Sequence, residues 1–126
     1  MTLKVEVQHT GDVAVVNCAG RIVRGDAACN LKTAVMSQRG ARIVVLDLSD
    51  VEMVDGGGLG MLVFLRRWTS ERGMQMKLVN PSHLVRELLE RTQLTRIFDI
   101  SSVEDALAIL GCEHHMREQF RYAMAS

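Results

Sequence analysis

Residues 42–68 read RIVVLDLSDVEMVDGGGLGMLVFLRRW, and the fold depends on how this stretch is parsed. Ile43, Val44, Val45, Leu46 and Leu48 form an apolar run rich in β-branched residues, too short for a helix buried on all sides. That composition predicts a central strand covered on both faces. Asp47, Ser49 and Asp50 read as a polar turn, followed by an apolar step through Val51, Met53 and Val54. Asp55 and three consecutive glycines, Gly56, Gly57 and Gly58, come next. Leu59, Met61, Leu62, Phe64, Leu65 and Trp68 then recur at helical spacing. The order is strand, loop, helix, with a carboxylate and bare backbone at the helix mouth.

Upstream, Leu3, Val5 and Val7 alternate with polar residues as in a half-buried strand. Gly11–Asp12 is a turn signal, and Val13 to Ala19 reads as a second strand closing an antiparallel hairpin. Gly20 to Asp26 is expected to leave the sheet as a loop. Asp26 is the expected N-cap of a helix from about Ala27 to Gln38, with Ala28, Leu31, Ala34 and Val35 inward and Gly40 at its C-cap. Strand, helix and strand then make a right-handed crossover, so the sheet is mixed.

Downstream, Arg72–Gly73 ends the second helix, and Met76, Leu78 and Val79 read as a strand closed by Asn80–Pro81. Ser82 caps a third helix carrying Leu84, Val85, Leu88 and Leu89 and ending near Thr92. Leu94, Ile97, Phe98 and Ile100 form an expected edge strand. Ser101 or Ser102 would cap a last helix with Val103, Ala106, Leu107 and Leu110 inward. The expectation is one α/β domain over residues 1–111, with a mixed sheet of about five strands and four α-helices in the order β-β-α-β-α-β-α-β-α. Residues 112–126 form a tail in which Met116, Phe120 and Ala123 keep a loose helical spacing.

Composition excludes several functions. A length of 126 residues with 48% apolar content suits one domain with a real core. Fifteen basic residues balance fifteen acidic ones, which argues against a general nucleic-acid or anionic-membrane binder. No apolar run approaches the ~20 residues of a membrane span, and the N-terminus lacks a signal-peptide core. A cytoplasmic protein is expected. Cys18, Cys29 and Cys112 are widely spaced, and a single Cys112–His114–His115 cluster rarely supplies a full ligand set. No metal or cofactor is expected.

The glycine turn admits two readings. A helix N-terminus accepts anions, so the glycines could cradle a phosphate. Against this, no Lys-Ser/Thr pair follows, GGGLG is neither a P-loop nor a dinucleotide fingerprint, and Asp55 would repel the ligand. The favoured reading is that the glycines allow close helix–strand packing and Asp55 caps the helix. Gly60 inside the helix costs about 1 kcal/mol against Ala, which a close backbone contact would explain. No Ser, His and Asp fall into a triad context, and His9 and His83 read as surface residues. An enzyme is not expected.

Asp47-Leu48-Ser49-Asp50-Val51, Asp55-x-x-Gly58-Leu59-Gly60, Arg72-Gly73 and Leu78-Val79-Asn80-Pro81, in that order, resemble the STAS domain. They are most similar to the bacterial anti-sigma factor antagonists. Gly20 to Val23 resembles the family's loop after its second strand, and the resemblance runs to Leu110. It implies a protein that binds an anti-sigma factor, often a serine kinase, and so frees a sigma factor. In the family, a phosphate on a serine in an Asp-Ser-Ser/x-Gly-Leu turn breaks that binding by adding roughly −1.5 to −2 charges. Here the two positions equivalent to the phospho-acceptor are Gly56 and Gly57, and neither carries a hydroxyl. The resemblance therefore implies an antagonist not switched at that site, with Ser49, Thr69 and Ser70 as alternative acceptors.

The expected partner-binding surface joins Asp55, Gly57, Gly58, Leu59, Gly60 and Met61 to the loop bearing Arg21, Arg24 and Asp26, with Arg66 and Arg67 extending it. Two other readings stay open: a STAS scaffold or transporter-associated component, and a small-molecule or nucleotide module using the glycine turn. No nucleic-acid partner is expected, and a homodimer is left open.

Overall fold

The computed structural model describes residues 3–101. Strand β3 (Ile43–Val54) lies at the centre of a five-stranded sheet, between β2 (Val13–Ile22) and β4 (Gln75–Val79). β1 (Leu3–Thr10) pairs antiparallel with β2, and β5 (Asp99–Ser101) pairs parallel with β4 at the other edge. Helices α1 (Asp26–Met36), α2 (Gly56–Glu71) and α3 (His83–Arg91) make the three crossovers. Because every crossover steps the same way across the sheet, right-handed connections put all three helices on one face. Val16, Leu46 and Leu78 from that face share one core with Leu31 and Val35 of α1, Leu62, Leu65 and Trp68 of α2, and Val85 and Leu89 of α3. Val15, Val45 and Val79 of the opposite face are equally buried, so the central strands are apolar on both sides.

Several elements depart from the expected boundaries. β3 runs unbroken for 12 residues through the expected turn at Asp47, Ser49 and Asp50. It advances three residues from Asp47 to Asp50 while β2 advances two from Asn17 to Ala19, and it gains another residue between Val51 and Met53. The turn residues therefore serve a bulge, which the Asp47 carboxylate stabilises by accepting the Ser49 backbone N–H at 3.0 Å and hydroxyl at 2.8 Å. β2 likewise extends through Gly20, Arg21 and Ile22, because the longer β3 keeps a partner beside it. The connection to α1 shrinks to Val23–Gly25. Asp26 is the first residue of α1 rather than its cap; Gly25 holds the cap position at φ 104, which an L-residue resists. The C-cap of α1 is Ser37, not Gly40.

Downstream, the expected edge strand divides into a short 3-10 helix (Leu94–Arg96) and the three-residue β5. Ser82 caps α3 as expected and also donates its hydroxyl to the Val51 carbonyl at 2.8 Å. Leu84, expected inward, is 64% exposed, and Phe64 is also exposed. Lys77 is buried in β4 and pairs with the half-exposed Asp99 of β5. Three α-helices are present among the described residues; the fourth expected helix and the tail lie outside them.

Candidate functional site

Ile22, Arg24 and the head of α2 meet at the C-terminal ends of β2 and β3. Asp55 has extended backbone and occupies the N-cap of α2. Its carboxylate accepts the Gly58 N–H at 2.7 Å, satisfying one of the helix's orphan donors. The same carboxylate accepts the Arg24 backbone N–H at 3.1 and 3.2 Å. The Asp55 backbone N–H donates to the Ile22 carbonyl at 3.3 Å. One side chain thus ties two loops, 31 residues apart in sequence, into one surface. The N–H groups of Gly58 and Arg24, with the Arg24 charge beside them, hold the Asp55 carboxyl below the usual carboxylate range.

The three glycines are the first turn of α2, not a loop before it. A Cβ on Gly58 would lie 1.9 Å from the Ile22 carbonyl oxygen, and one on Gly57 2.6 Å from the Arg24 Cβ. Gly56 and Gly60 face open space. The close contact expected at Gly60 falls instead at Gly57 and Gly58, because the β2–α1 connection crosses the helix over those two residues.

The structure thereby brings Arg24, Asp55, Gly57 and Gly58 into contact. Arg21 stands exposed on β2, paired in register with Met53, and Asp26 is exposed at the start of α1. Neither Arg21 nor Arg24 is in a salt bridge among the described residues. Leu59 and Met61 are half-buried against the core. Arg66 and Arg67 are exposed further along α2, but Arg66 donates to the Ile97 carbonyl and Arg67 pairs with Glu71. Of the alternative acceptors, Thr69 is buried and donates its hydroxyl to the Leu65 and Arg66 carbonyls, whereas Ser49 and Ser70 are exposed.

One feature of the site escapes the sequence reading. Met53 and Leu84, two exposed apolar side chains, flank a groove of about 280 Å³ between the end of β3 and α3. Val54, which lines it, precedes Asp55, so the groove adjoins the turn. The signal was available, since Leu84 sits on a two-turn helix that can turn only part of an apolar set inward.

With its oxygens bonded to backbone amides, the Asp55 carboxylate has a structural task. Among the described residues no cluster of three His, Cys, Asp or Glu side chains could hold a metal, and Cys112, His114 and His115 lie outside that range. No described helix is long and apolar enough to cross a membrane.

Comparison with known proteins gives a consistent result. The STAS domain family model matches residues 4–107. The anti-sigma-B factor antagonist of Bacillus subtilis (strain 168) is 31% identical over 103 residues, covering 81% of this chain and 94% of that protein. The anti-sigma factor antagonist SpoIIAA in its unphosphorylated form superposes with a TM-score of 0.72 at 15% identity, over 88% of this chain and all of that one. An anti-sigma factor antagonist from Mycobacterium paratuberculosis superposes with a TM-score of 0.74 at 23% identity, over 88% of this chain and 96% of that one. The chain belongs to the STAS domain family, the family of the anti-sigma factor antagonists it resembles.

Proposed function

We propose that this chain is a non-enzymatic anti-sigma factor antagonist, a cytoplasmic binding protein that captures an anti-sigma factor with serine-kinase activity and so frees a sigma factor. The similarity to the Bacillus subtilis anti-sigma-B factor antagonist along nearly its whole length supports the class. The observation that carries the reading is the Asp55 bridge, which makes one preformed surface of the head of α2 and the loop bearing Arg24. A preformed surface binds with little ordering cost. The docking face comprises Arg21, Arg24, Asp26 and residues 55–61.

Gly56 and Gly57 have no oxygen to esterify, so the kinase partner has no acceptor at the head of α2. Binding of the chain to each anti-sigma kinase of its source organism, followed by incubation with ATP and mass spectrometry, tests both halves. The expected result is capture of one kinase and no phosphate at residues 55–61. Gly57→Glu or Gly57→Asp, which add bulk and negative charge, should abolish capture. Failure to bind any such kinase, or undiminished capture by both variants, overturns the proposal.

A further inference from the structure

Both faces of the sheet are buried, but the described helices cover only one of them. Val16, Val44 and Leu78 belong to the core shared with α1, α2 and α3. Their neighbours along each strand alternate to the other face. There Val15, Ile43, Val45 and Val79 are 0% exposed and Val13 is 2% exposed. None of these five is part of the helix-side core. Lys77, between Met76 and Leu78, shares their face and is 1% exposed. Such side chains on a bare sheet would stand in water, so this face carries a cover that α1, α2 and α3 do not supply. The burial is that of one chain on its own, so the cover is not a neighbouring molecule. Its outline is narrow. Lys4, Glu6 and Gln75 on the same face are exposed, and Asp99, the partner of Lys77, is half-exposed. The buried patch spans β2 to β4, about 10 Å across at a strand spacing of ~4.8 Å.

We propose that this second sheet face is a docking surface for the chain's own C-terminal segment, residues 102–126. Outside the described residues the chain otherwise has only residues 1–2, too few to shield six side chains on three strands. Ser101 ends β5 beside Val79 of β4, at the margin of the buried patch. From β5 to β2 is about 14 Å, and the 25 residues after Ser101 span about 37 Å even at the helical rise of ~1.5 Å per residue. The segment also has the chemistry to fill the patch, since Val103, Leu107, Leu110, Met116 and Phe120 supply apolar surface against the valines. Asp99 pairs with Lys77 from the rim, so an apolar cover leaves no unpaired charge beneath it. The family match ends at residue 107, so most of this segment is the chain's own addition to the STAS fold. The inference stands apart from the function proposed above, because it concerns the face of the sheet turned away from α2.

Two measurements on the full chain test it. The first places p-benzoylphenylalanine at Glu6 or at Gln75, exposed positions on either side of the patch, and irradiates an equal mixture of light and 15N-labelled chains. Peptide mapping should find cross-links from both positions into residues 102–126 of the same chain. Cross-links that join light to heavy chains would assign the cover to a second copy and overturn the proposal, as would cross-links confined to residues 3–101 or none at all. The second uses Val45→Cys, with maleimide labelling followed peptide by peptide. The thiol at position 45 should label slowly, and adding Met116→Asp and Phe120→Asp should speed it by roughly tenfold or more. Cys18, buried on the helix side, is the internal control and should stay slow, which separates lifting of the cover from general unfolding. Unchanged labelling at position 45, or equal acceleration at Cys18, counts against a cover that docks on this face. The cross-linking decides the matter where the charged variants do not fold.

Discussion

Gly58 and Gly60 are two residues apart on α2, and their surroundings are opposite. A methyl group at 58 points into the Ile22 carbonyl, a backbone atom that cannot turn aside. Gly58→Ala should therefore cost about 3 kcal/mol, read as a lowered urea midpoint. Gly60→Ala places the same methyl in open space inside a helix and should stabilise the fold by about 0.5–1 kcal/mol in the same assay. Asp55 gives a pH-dependent test. Its folded carboxyl binds protons less tightly than the free side chain, so its stabilising share is complete above about 3.9 and fades as pH falls through the folded value. Asp12 is depressed in the same direction by its bond to Arg42 at the opposite end of the sheet. Unfolding curves from neutral pH down to about 3 should thus show a shallower acid loss in Asp55→Asn, with the Asp12 share retained. The cap role of Asp55 is readable in sequence, because a carboxylate finds an N–H three residues on. Which glycine is indispensable is not readable, since the obstructing atoms belong to Ile22 and Arg24 on another element.

At the level of elements, β3 and α3 mark what patterning can and cannot reveal. The apolar run from Ile43 to Leu48 identifies a two-sided strand without help from the rest of the chain. The continuation to Val54 is hidden, because Asp47, Ser49 and Asp50 are turn-forming residues that here serve a bulge. The decision between turn and bulge is made by β2 lying alongside. In α3, four apolar residues suggest a wide inward stripe, but only Val85 and Leu89 are buried. Leu89→Ala should cost about 2–5 kcal/mol, whereas Leu84→Ser should stay within about 0.5 kcal/mol, both read from chemical denaturation. An equal loss for the two would mean that Leu84 is covered by something its 64% exposure does not reveal. Gly25 illustrates the same limit: Asp26 is the better N-cap by composition, yet the chain must enter α1 through a positive φ, and only the preceding glycine provides it.

Across the whole molecule, the strand order follows the chain order, and the parallel pairings place the ends of β2 and β3 beside the start of α2. That arrangement follows from the alternation of strands and helices, so the location of the site is legible even where its contacts are not. β1 adds a directional consequence. It runs against its neighbour, with Leu3 opposite Gly20 and Thr10 opposite Val13. Anything fused ahead of Leu3 therefore emerges next to Arg21, at the rim where a partner would land, while the Gly11–Asp12 bend lies at the far pole. A bulky affinity handle joined upstream should slow partner association measured by surface plasmon resonance, and a compact fluorophore attached at the bend should leave it alone. An antagonist judged inert through an upstream fusion could simply be an antagonist wearing its handle over its face.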